Sequence, residues 1–158
     1  MSFDVFLQRS VAGKPAQVDR EAVLAVLKTA KFNGPDDFGF YIVEFPEGGD
    51  VEFSAEGLQG SGDFADCAFH LGGISRHLVK FMFEVAKAGD MFILPAMEDF
   101  VPILTRAEQR VELPPELAEN YPEPVLCESA EELESLLSGG YNGWKKYRDK
   151  VLRENRGV

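Results

Sequence analysis

The sequence predicts an α+β fold: an antiparallel sheet of about five or six strands with helices packed on one face, plus a C-terminal helix. Three observations lead there. Phe38–Phe45, Val51–Ser54 and Phe64–Leu71 are successive runs rich in aromatic and β-branched residues, separated by Gly, Pro and Asp, which is the pattern of an antiparallel meander. Two segments that open on Asp19 and Ser75 carry apolar residues at helical spacing. The chain has 158 residues, 45% apolar and 27% charged. A chain of that size can bury about 68–70% of its unfolded surface in one core.

The elements follow in order. Phe3 to Arg9 alternates weakly before Gly13 and Pro15 and reads as a strand and a loop. Asp19 is placed to cap the amides of Glu21 and Ala22, with Val18 and Val23 as the staple around it. Val23, Val26, Leu27 and Ala30 form the buried face of that helix, and Asn33-Gly34-Pro35 ends it. Gly48-Gly49 supplies the positive φ angles of a hairpin between the first two strands of the meander. In the third strand, Ala65, Cys67, Phe69 and Leu71 share a face. The second helix is capped by Ser75, stapled by Ile74 and Val79, and stopped by Gly89. Met91 to Leu94 is fully apolar and reads as a central or doubly covered strand. Phe100 to Leu104 contains Pro102, which points to an edge strand. Pro114-Pro115-Glu116-Leu117 opens a helical turn, and Val125 to Cys127 reads as a last strand. Ser129-Ala130-Glu131-Glu132 is a capping box ahead of Leu133, Leu136 and Leu137. Residues 1–140 are thus expected to form one domain, with 141–158 appended as a basic amphipathic helix.

Charge excludes several classes of function. The net charge of −11 argues against nucleic acid as the main partner, because phosphate binding needs clustered Lys and Arg. No apolar run approaches the length of a membrane span, and Met1-Ser2-Phe3-Asp4-Val5-Phe6 lacks the layout of a signal peptide. Cys67 and Cys127 lie far apart in apolar segments and read as inert core thiols of a cytoplasmic protein.

Motifs for chemistry are sparse. Gly72-Gly73 precedes a helix but belongs to neither GxxxxGK[ST] nor GxGxxG, so a turn with positive φ explains it. Gly60-Ser61-Gly62 is a flexible loop rather than a GxSxG elbow. His70 and His77 lack HExxH spacing and have no cysteine placed as a fellow ligand, so neither a metal nor another cofactor is expected. Asp36, Asp37, Glu44, Glu47, Asp50 and Glu52 make a concentrated negative strip, without the DxDxDG loop of a calcium hand. The strip reads as a solvated face or as a surface for a cationic partner. An alternative pocket would gather Asp63, Asp66, Cys67, His70 and His77 near the strand–helix junction.

The C-terminal segment has the opposite charge. Residues 141–158 carry +4 while the preceding 140 carry −15. On a helical wheel Trp144, Tyr147 and Val151 form an apolar ridge with most of the basic groups around the other side. The expected use is docking on the acidic body of the same chain, or of a second copy as a homodimer; an anionic ligand or membrane surface is the other use of such a helix.

Several stretches are similar to an uncharacterised family of small acidic bacterial proteins. They are Phe3-Asp4-Val5-Phe6-Leu7-Gln8, the Lys14-Pro15-Ala16 loop, Arg20-Glu21-Ala22-Val23, Met91-Phe92-Ile93-Leu94-Pro95 and Glu128-Ser129-Ala130-Glu131-Glu132-Leu133. The resemblance implies a bacterial cytosolic setting and brings no activity with it. The sequence therefore leads to a non-enzymatic acidic interaction module, immunity-like or regulatory, with a cationic protein as partner. The rival expectation is a small enzyme or ligand-binding domain with its site around His70 and His77.

Overall fold

The computed structural model describes residues 3–60, 62–96 and 100–138. Its strands are β1 (Phe3–Gln8), β2 (Ser10–Val11), β3 (Lys14–Pro15), β4 (Lys31–Asn33), β5 (Phe40–Glu44), β6 (Asp50–Ser54), β7 (Asp66–Leu71), β8 (Phe92–Pro95), β9 (Ile103–Leu104) and β10 (Val125–Leu126). The helices are α1 (Arg20–Leu27), α2 (Arg76–Gly89), α3 (Pro115–Asn120) and α4 over 130–138, with a 3₁₀ turn at Ala107–Val111. The segment 141–158, with Trp144, Tyr147 and Val151, lies outside the described residues.

The fold is α+β, with a larger sheet than expected. Eight strands run in the order β10-β9-β8-β1-β7-β6-β5-β4, and β2 and β3 form a separate ribbon. Every neighbouring pair in the large sheet is antiparallel except β9 and β10, so the sheet is mixed. The extra strands are short. β4 has three residues and β9 and β10 two each, too few for an alternating pattern to register in sequence. β5, β6 and β7 are the expected meander. The N-terminal strand β1 lies between β7 and β8, in the middle of the sheet.

The two faces of the sheet are covered differently, a consequence of the two-residue period of strands. Val5 and Leu7, Tyr41 and Val43, Val51 and Phe53, and Cys67, Phe69 and Leu71 point to one side. There they meet Val23 and Leu27 of α1, Val79, Met82 and Val85 of α2, and Leu133, Leu136 and Leu137 of α4 in the main core. On the opposite side, Phe92 packs with Leu104 and Leu113, and Leu94, Leu117 and Leu126 join them. The expectation of helices on one face alone is thus corrected: α3 and the chain before it cover the β8–β10 end of the second face. Among the described residues, that second face is open over β1, β7, β6 and β5.

Caps hold the helices as read. Asp19 Oδ1 accepts from the Ala22 amide at 3.1 Å, Ser75 Oγ from Leu78 at 3.4 Å and Ser129 Oγ from Glu132 at 3.2 Å. Two stops are corrected: α1 ends at Leu27, with β4 lying before Gly34-Pro35, and Gly89 is the last residue of α2, with Asp90 in the left-handed conformation at φ 53°. A Cβ at Gly89 would come within 2.7 Å of Met91 and 2.9 Å of Val18, so this glycine is there for close packing. Pro102 precedes β9 and accepts the Val125 amide, and β10 rather than β9 is the edge.

Candidate functional site

Register across the open face brings together residues far apart in sequence. In one row Asp4 of β1 pairs with His70 of β7, His70 with Glu52 of β6, and Glu52 with Ile42 of β5. In the next row Phe6 pairs with Ala68, Ala68 with Ser54 and Ser54 with Phe40. Neighbouring side chains in such a row stand about 4.5–5.5 Å apart at Cβ. These are the alternate positions of strands whose other residues are buried, which is why they face away from the helices.

His70 is held from both ring nitrogens. Its Nδ1 lies 2.8 Å from Asp4 Oδ1 and its Nε2 lies 3.0 Å from Ser54 Oγ. With Asp4 as a carboxylate and the ring neutral, Nδ1 carries the proton and Nε2 accepts from the serine hydroxyl. The Phe40 ring meets the imidazole edge-on at 5.4 Å. His70 retains 24% side-chain exposure and Asp4 46%, so solvent reaches the group.

Apolar and acidic side chains are interleaved here. Phe38 is 85% exposed, Phe6 37% and Ile42 36%. Glu52, Asp66 and Asp50 are exposed around them, and Glu44 forms an ion pair of 3.2 Å with Lys31. Ala68 is small and lies between Phe6 and Ser54, leaving a hollow of about 580 Å³ that Phe6, Phe38, Tyr41 and Ser54 help to line. On the far side of Phe6 is a second hollow of about 470 Å³, bounded by Leu94, Phe100, Leu117 and Tyr121. Both fall in the size range of small-molecule or side-chain pockets.

The sequence-predicted residues separate into groups. Glu44, Asp50 and Glu52 join the open face, and Glu47 sits at the exposed tip of the β5–β6 hairpin. Asp36 and Asp37 are exposed in the loop before β5, where Asp36 Oδ1 accepts from the amides of Phe38 and Phe40 at 2.8 and 2.9 Å. The alternative pocket does not come together. His77 bonds Gly48 O at 2.9 Å and packs on Phe45 at the start of α2, while His70 belongs to the open face. Asp66 and Asp63 are exposed, and together they border a third hollow of about 610 Å³ beyond Gly57.

Cys67 is 3% exposed and turns into the helical core. Burial, with Asp66 adding to it, pushes its thiol far above the usual range. Burial likewise pushes the Cys127 thiol up to about 12. Neither is a thiolate at neutral pH.

Sequence reading missed Asp4 and Ser54. The alternation Val51, Phe53 against Glu52, Ser54 already places Ser54 on the polar face of its strand, but only the β1–β7–β6 register brings it to His70 and Asp4. Among the described residues no group of three or more His, Cys, Asp and Glu side chains is arranged to hold a metal ion. No described helix is long and apolar enough to cross a membrane. No protein-family model matches the chain, and no curated protein or solved structure matches it either.

Proposed function

We propose that the protein is an acidic interaction module that receives a basic segment of a partner protein on the open sheet face. The observation that carries this reading is that face itself: Phe38, Phe6 and Ile42 stand exposed among Asp4, Glu52 and Asp66 on the side of the sheet that the described helices leave open. Burying one exposed Phe at an interface is worth about 1.5–3 kcal/mol, so the aromatics supply affinity. The carboxylates supply steering and discrimination, since a complementary field raises association rates by about 10–1,000-fold and repels acidic competitors. A partner segment that alternates Lys or Arg with aromatic or aliphatic residues satisfies both. An immunity-like or regulatory role fits a small acidic body that works by covering a cationic surface, and the buried free thiols suit a reducing cytoplasm.

The test is capture from the host at low salt with two baits, the wild-type chain and a Glu52→Lys, Asp66→Lys variant. The expected result is a specific basic protein retained by the wild type, released by raised salt, and absent from the variant bait. Equal retention by both baits, or retention of no specific protein, contradicts the reading.

A further inference from the structure

We propose that Asp4, His70 and Ser54 form a proton relay that makes Ser54 a nucleophile toward small carboxylic esters bound in the hollow beside Phe6. The geometry is that of an orienting carboxylate, a base and a nucleophile in line. Asp4 Oδ1 lies 2.8 Å from His70 Nδ1, and His70 Nε2 lies 3.0 Å from Ser54 Oγ. The carboxylate fixes the tautomer, so the Nε2 lone pair points at the serine hydroxyl in the sense needed to remove its proton. Three adjacent strands hold the groups: Asp4 is directly opposite His70, and Ser54 is directly opposite Ala68, two residues from His70 on the same face. Phe40, packed edge-on against the imidazole, restricts rotation of the ring. Ser54 is also the last residue of β6, and residues 55–57 line the same hollow. A structural hydrogen-bond ladder explains Asp4 with His70, but not why the chain ends at a hydroxyl that lines an open hollow.

The step balances without a co-reactant other than water. Ser54 Oγ bonds to the ester carbonyl carbon as its proton passes to His70 Nε2. The bond from that carbon to the leaving oxygen then breaks, and His70 returns the proton to the departing alcohol. Water attacks the acyl-serine with His70 taking one of its protons, and the proton returns to Ser54 Oγ as the acid leaves. The lining sets the substrate class. Phe6, Phe38 and Ala68 favour an apolar acyl group, while Glu56 and Asp66 at the border repel anions. A short, uncharged or cationic ester is the substrate these walls admit. Ser54 and its register partners lie in a paired sheet, which takes up strand amides. A single oxyanion donor is worth about 100- to 1,000-fold in rate, so turnover is expected to be slow and easiest to see with activated acyl or phosphonyl groups.

The test is labelling of the intact protein with an alkyl fluorophosphonate, read by mass spectrometry with the modified residue mapped. The expected result is one adduct, on Ser54, absent in Ser54→Ala and formed about 100-fold or more slowly in Asp4→Asn. Thermal melts of both variants establish that they fold, and the wild-type adduct needs no variant at all. The same Ser54 should give a stoichiometric burst with p-nitrophenyl acetate. No adduct on folded wild type, an adduct spread over other serines, or an Asp4→Asn rate equal to wild type each overturns the proposal. The readout involves no partner protein, so its failure leaves the interaction reading to its own test.

Discussion

Asp90 ends α2 in the left-handed conformation at φ 53°, and its carboxylate gathers the chain that follows. Arg106 reaches it through Nε and a terminal nitrogen, both at 2.9 Å, and Gln109 Nε2 donates to it at 3.1 Å. Arg9 of the β1–β2 link stands 3.7 Å away. Burial pushes the Asp90 carboxyl up, but Arg106, through its bonds and its charge, then Gln109 and Arg9, outweigh burial and hold it below the usual carboxylate range. A depressed folded-state pKa stabilises the fold above the unfolded value, near 3.9, and that stability is lost as pH falls through the lower folded value. Asp90→Asn keeps a residue that tolerates φ > 0 but removes the charge. It should cost about 1–2 kcal/mol at pH 7, discounted for an accessible side chain. Urea unfolding should find that difference shrinking as pH falls below about 4, the ordinary carboxylate value. Gly57 makes a sharper claim. Its φ is +82°, and a Cβ there would fall on the Asp63 carbonyl oxygen, while its own oxygen accepts from Arg20 Nε at 3.0 Å. Gly57→Ala should lower stability by about 1–3 kcal/mol, measured by the same unfolding curve.

β1 is the element on which the two-faced reading turns, because consecutive residues meet opposite environments. Leu7 is fully buried under the helices, whereas Phe6 stands 37% exposed between the two hollows. Leu7→Ala should therefore cost about 2–5 kcal/mol, and Phe6→Ala about 1 kcal/mol or less. Thermal or chemical denaturation of the pair checks this, and reversed magnitudes would mean that the faces are misassigned. The helices and the meander were legible because their signals are local: a cap, a staple, a Gly-Gly turn, a two-residue alternation. Asp19, Ser75 and Ser129 declare their helices within four residues of sequence. The sheet order was not legible, since β1 pairs with β7 across 66 positions at Asp4 and His70, and nothing local encodes that register. The same gap divided the functional reading. Sequence order groups Glu52 with its neighbours in an acidic strip and His70 with His77, although Glu52 and His70 are register partners.

At the scale of the molecule, one sheet separates a dry side from a wet one. α1, α2 and α4 close the first side over a core that includes Phe53, Phe69 and Met82. Among the described residues, the second side is closed only from β8 to β10, by Leu113 and Leu117 over Phe92 and Leu94. The uncovered remainder combines exposed aromatics with carboxylates, in a chain whose net charge is −11. Association with a basic partner should accordingly slow by about 10-fold or more between 50 and 500 mM salt, as the Debye length shortens from roughly 14 to 4 Å. Stopped-flow measurement of the association rate checks this, and a salt-independent rate would leave the carboxylates without a role. Whether the open face is where the partner sits is tested most directly by hydroxyl-radical footprinting of the protein alone and in complex with the captured partner. Oxidation of Phe6, Phe38 and Tyr121 is expected to fall several-fold in the complex while the solvent-facing side of α2 around Lys80 is unchanged. Protection confined to α2, with Phe6 and Phe38 oxidised as in the free protein, would contradict the assignment of the open face as the partner surface.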